Sequence, residues 1–151
     1  MRSKLFTVSM VAVALFFVGS QVASAGSVSA KQLASFKALE GPFSKADTKW
    51  TSALSSLSSK STVAQVSKPS LAFVPALKTF DAGLAKVGFT GNAATQAADI
   101  EKLNGQLVTI LSSIKSVGAF QSQVEALFSK YQGVQAALAK DLGVPTADVI
   151  I

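Results

Sequence analysis

The side chains able to do chemistry in this 151-residue chain are Ser, Thr, Lys, a single Tyr and 8 carboxylates, because it contains neither His nor Cys. That removes the commonest general base, the commonest transition-metal ligands and the commonest activated thiol. Ser112-Ser113-Ile114-Lys115 has the Ser-x-x-Lys spacing that lets a helical lysine sit beside a nucleophilic serine. The Ser-Asp-Asn-like and Lys-Thr-Gly motifs that accompany it in working enzymes are missing. Asp99 and Glu101 form the one close acidic pair. Two residues apart on a helix, they point to different sides and cannot share a metal or a substrate. Their plain reading is solvated charge early in a helix, where the macrodipole favours it. Gly88-Phe89-Thr90-Gly91 lacks the Gly-Lys-Ser of a phosphate loop, and no stretch has the oxygen density of a calcium site. The expectation is a chain with no catalytic, cofactor or metal residues: not an enzyme.

The charge is mildly basic. The formal net charge is +6. The only Arg is Arg2, and the lysines from Lys31 to Lys140 are dispersed. Nucleic-acid binders ordinarily cluster Lys with Arg, whose planar fork reads phosphates and guanine edges, so nucleic acid is not expected as a partner. A dispersed lysine surface suits a solvated helical exterior, with some preference for anionic surface polymers or lipids.

The first residues read as an address. Arg2 and Lys4 precede an uncharged run from Leu5 to Val18, and Ala23-Ser24-Ala25 offers small residues on either side of a cleavage site. A transmembrane helix needs roughly 20 apolar residues, more than this run supplies. The expectation is a secretory signal over residues 1–25, cut near Ala25. A lipid anchor is not expected, since the chain has no Cys to carry one. Removing 25 residues leaves 126 and a net charge of +4. That length suits one domain stabilised by core packing alone. The destination expected is extracellular or periplasmic, in a bacterium, with no transmembrane segment in the mature chain.

Behind that leader the pattern is helical. Ile100, Leu103, Leu107, Ile110, Ile114 and Val117 recur in steps of three and four, as do Phe120, Val124, Leu127, Tyr131, Val134 and Leu138. Phe36, Phe43, Trp50 and Leu57 recur every seven residues. Phe73, Leu77, Phe80, Leu84 and Val87 make a fourth stripe. Gly41-Pro42 is expected to interrupt the first helix, because proline lacks an amide donor and restricts its predecessor. Ser44 through Asp47 then reads as a capping box for a helix starting near Pro42 or Ser44. Pro69 and Pro75 predict a second helix that is kinked or begins only after Ser67. Asn92 reads as an N-cap and Ser122 through Glu125 as a further capping box near the last helix's start. Gly143 and Pro145 predict a stop near Leu142.

The expected architecture is an all-α antiparallel (up-and-down) bundle of four helices, since short connections make neighbours antiparallel. The parts are a signal at 1–25, an arm or short helix at 26–41, the bundle at 42–143, and an apolar tail at 144–151 that docks or frays. Phe36, Phe43, Trp50, Phe73, Phe80, Phe120 and Tyr131 are expected in the core. Phe89 either plugs one end of the bundle or meets a partner. The function expected is a secreted, non-enzymatic interaction or structural protein touching an envelope surface or a protein. The alternative is a carrier of a small apolar ligand held between the helices.

Overall fold

A computed structural model describes residues 28–58 and 60–151. The expected leader lies outside them. Four helices pack against one another: α1 (Ala30–Ser55), α2 (Val63–Val87), α3 (Gly91–Ser112) and α4 (Val117–Leu142), followed by a short 3-10 turn, Thr146–Asp148. Among the described residues there is no strand. Close backbone packing joins α1 to α2, α2 to α3 and α3 to α4.

Two helix starts carry a capping box that uses glutamine. Ser29 Oγ accepts from the Gln32 amide at 3.2 Å, while Gln32 Oε1 accepts from the Ser29 amide at 2.9 Å. Thr62 and Gln65 repeat the exchange ahead of α2, at 3.3 and 2.8 Å. Ser116 caps α4 by accepting from the Ala119 amide at 3.2 Å. The expected boxes at Ser44 and Ser122 both fall inside helices, and α3 is preceded by Thr90 as N-cap rather than Asn92. Gly143 ends α4 in the left-handed region at φ 68°, with its amide donating to the carbonyls of Ala139 and Lys140. The stop expected near Leu142 is therefore where the helix ends.

Pro42 does not interrupt the first helix, and the second begins at Val63 rather than after Ser67. α1 runs through Pro42 without a break, and α2 contains both Pro69 and Pro75. A proline forfeits the hydrogen bond to the carbonyl four residues earlier. Those carbonyls belong to Ala38, Gln65 and Leu71, and all three residues are exposed. Solvent-side carbonyls already tilt towards water, which can take the place of the missing donor. Gly41, having no side chain, also relieves the clash that a proline imposes on its predecessor. Residues 30–41 are thus the first turns of one long α1 rather than a separate arm.

The core is organised around an aromatic ladder between α1 and α2. Phe36 lies 6.4 Å from Phe80, Phe43 lies 4.6 Å from Phe80 and 5.7 Å from Phe73, and Trp50 stacks on Phe73 at 4.8 Å with planes 6° apart. As α1 advances, its partners on α2 recede. Each such pair is worth about 0.5–1.5 kcal/mol beyond the area it buries. Phe89 packs 6.0 Å from Phe36 at one end of the ladder and is half-buried there. All seven aromatics expected in the core are buried. Ile100, Leu103 and Leu107 of α3 and Val124, Leu127 and Leu138 of α4 complete the interior, while Ile110, Ile114 and Val134 are only half-buried. Trp50 and Phe128, 6.4 Å apart, bridge the seam between α1 and α4.

Candidate functional site

The residues that spacing had brought forward are not gathered by the fold. α3 ends at Ser112, so Lys115 lies in the following connection and both side chains are exposed. Asp99 and Glu101 sit in the third turn of α3 and face different hollows. One, about 210 Å³, is lined by Asp99, Lys102 and Lys130; the other, about 170 Å³, by Glu101, Phe89, Ala94 and Ala97 among others. Gly88 ends α2 with φ 68°, and its carbonyl accepts from Gln32 Nε2 at 2.6 Å, tying the start of α1 to the end of α2. Among the described residues no three His, Cys, Asp or Glu side chains converge as a metal site would require.

Three polar arrangements do form, and each sits where helices meet. The first crosses α2, α3 and α4. Tyr131 donates its hydroxyl proton to Asn104 Oδ1, and Asn104 Nδ2 donates to Asp81 Oδ1 at 2.5 Å. Asn104 is 1% exposed, so its amide relies on these two partners. Burial pushes the Asp81 carboxyl up to about 6, against the pull of the Asn104 donor and with a further push from Glu101. Burial, assisted by the Asp81 charge, raises the Tyr131 phenol well above its usual range. A phenol so reluctant to ionise is a hydrogen-bond donor rather than an acid. A carboxylate near 6 could accept a proton at neutral pH, but its bonded oxygen is occupied by an amide. The trio fixes the register of three helices.

The second arrangement joins Trp50 Nε1 of α1 to Ser70 Oγ of α2 at 3.3 Å, while Ser70 donates to the Val66 carbonyl at 2.8 Å. The third secures the tail. Glu40 on α1 accepts from the Ile150 amide at 2.8 Å, and Gln135 Nε2 on α4 donates to the Val149 carbonyl. Val149 is fully buried. The tail therefore docks. Burial raises the Glu40 carboxyl above its ordinary value; the Ile150 amide and the Lys37 charge oppose that and Asp148 reinforces it.

Spacing had singled out none of Glu40, Ser70 and Asn104. In hindsight each falls in step with an apolar stripe: Glu40 between Phe36 and Phe43, Ser70 between Val66 and Phe73, Asn104 between Ile100 and Leu107. A polar residue in phase with a core stripe was the available signal.

The surface is sorted by charge. All the lysines from Lys31 to Lys140 are exposed, whereas of the eight acidic residues only Asp99, Glu125 and Asp148 are. Glu40 is buried, and Asp47, Asp81, Glu101 and Asp141 are half-buried. Burial alone pushes Asp47 up to about 6. The exterior is thus more cationic than the formal charge suggests. No family model matches the chain, and neither a curated protein nor a solved structure does so.

Proposed function

We propose that this chain is an exported, non-enzymatic bundle protein that binds an anionic surface of the cell envelope or a protein upon it. One observation carries the reading: the lysines all face solvent while five of the eight carboxylates are withdrawn at least partly from it. A rigid body with a lysine exterior attracts polyanions over about 10 Å at moderate ionic strength and loses them as salt rises. The export part rests on Arg2, Lys4, the apolar run to Val18 and Ala23-Ser24-Ala25. The helices are read as an up-and-down antiparallel bundle, which the receding order of partners along α1 and α2 supports. No helix among the described residues is long and apolar enough to cross a membrane.

The carrier reading is the weaker one. Sites for small ligands usually enclose roughly 300–1,000 Å³. Two open hollows between the helices, at about 210 and 170 Å³, fall below that.

The test is cosedimentation of the purified mature protein with isolated envelope across a salt series. Binding at low salt that is lost as salt rises supports the proposal; protein that stays in solution at low salt ends it. Sequencing the N-terminus of exported protein should find Gly26 first. A melt raised by members of an apolar ligand panel would favour the carrier.

A further inference from the structure

The C-terminal tail is held by a device more specific than apolar docking needs. Val149 C=O and Ile150 N–H belong to one peptide group, and two helices grip it from opposite sides. Glu40 of α1 takes the N–H at 2.8 Å, while Gln135 of α4 donates to the C=O and lies 3.4 Å from a second carbonyl, that of Thr146. Next to this clamp the Val149 side chain is completely enclosed. Such a site reads a backbone without regard to sequence and selects one branched apolar side chain. It lies along the seam that α1 and α4 do not close by backbone packing.

The occupant is lightly held. Pro145 to Asp148 and Ile150 are exposed, and only Val144 and Ile151 add partial burial. The segment follows Gly143, a left-handed residue at φ 68°. Elements with so few buried contacts open at the low end of a protein's stability range. Asp148 also places a negative charge near the Glu40 carboxylate, an unfavourable feature of the tail itself. With the tail docked Glu40 is only 7% exposed; undocking removes its Ile150 partner and uncovers the apolar pocket that holds Val149.

We propose that the seam between α1 and α4 is a peptide-binding groove, filled by the chain's own tail as a displaceable self-ligand. Its outside partner is a protein segment that makes a similar single turn and then presents a β-branched apolar residue preceded by a neutral or basic one. The tail shows the chemistry the groove accepts; Asp148 shows how a partner improves on it. This goes beyond the lysine-surface reading and does not rest on it.

The test uses the full mature chain and two synthetic peptides, one with the sequence of residues 144–151 and one carrying the Asp148→Lys replacement. Binding is read by fluorescence anisotropy and by hydrogen exchange at the Ile150 amide. Both peptides should bind, the second a few-fold tighter because repulsion of Glu40 by an exposed like charge becomes attraction. Each should speed Ile150 exchange by evicting the tail. Gln135→Ala, which keeps a good helix former on α4, should weaken both by several fold. Unchanged Ile150 exchange at millimolar peptide overturns the proposal, as does equal affinity for the two peptides. A dimer that forms with rising protein concentration while the peptides remain idle also overturns it, in favour of tails exchanged between copies. The exchange measurement needs no variant, so a poorly folding Gln135→Ala chain leaves the result decisive.

Discussion

The Tyr131 hydroxyl on α4 donates to Asn104 on α3, and that bond is one half of the amide's internal satisfaction. Tyr131→Phe removes the donor and little else, leaving a buried acceptor unpaired. The expected loss is about 1–3 kcal/mol, read from urea unfolding. Asn104→Ala combined with it should cost less than the sum of the two single changes, because they share one bond. Strict additivity would mean that the trio does not act as a unit.

Asp47 and Asp81 predict an unusual response to pH. Both carboxyls are pushed up to about 6 from 3.8 by burial. The folded chain thus binds these protons more tightly than the unfolded chain, and its stability rises as pH falls from above 6 towards 4. Both side chains are partly solvated, so the gain is on the order of 1 kcal/mol per site. Melting at pH 5 should exceed melting at pH 7. Asp47→Asn should raise the melting temperature at pH 7 and flatten the profile; a wild-type melting temperature that falls steadily from pH 7 to 5 would contradict this account.

Pro42 and Pro75 stand in exposed positions within long helices. Pro42→Ala should restore an amide donor to the Ala38 carbonyl and remove ring crowding. The unfolded chain gains freedom at the same time, which offsets part of the benefit. A net stabilisation of about 1 kcal/mol is expected from chemical denaturation. A loss of stability would show that the proline shapes α1 rather than being tolerated by it.

Gly83 and Gly105 should respond with opposite signs. A methyl group at Gly83 would fall on the Leu39 side chain, whereas one at Gly105 meets nothing. Gly83→Ala is therefore expected to cost about 1–3 kcal/mol through overpacking between α1 and α2. Gly105→Ala should instead gain up to about 1 kcal/mol from helix propensity. Thermal melts of the two variants side by side would decide it, and two stabilised proteins would show that Leu39 moves aside at no cost.

Local pattern determined a good deal. The stripes that include Phe36, Phe73, Ile100 and Phe120 placed four helices, and Gly143 placed the end of α4, because a helix's buried face and its left-handed cap are written within a few consecutive residues. Local pattern misjudged the break at Pro42 and the start of α2, since the cost of a lost hydrogen bond depends on whether the carbonyls of Ala38, Gln65 and Leu71 face water, a property of the assembled bundle. The same limit hid the capping boxes of Ser29 and Thr62 behind competing Ser-x-x-acid matches inside helices.

The polar interior was the larger omission. Asn104 is held by Asp81 and Tyr131, 23 and 27 residues away, and Glu40 meets Ile150 across 110 residues. Sequence alone placed Asp81, Asn104 and Tyr131 on helices and counted the charges. Only the tertiary structure decided which carboxylates were withdrawn from water and which backbone group each polar side chain would hold, because burial and hydrogen bonding are set by neighbours that the chain brings together from afar.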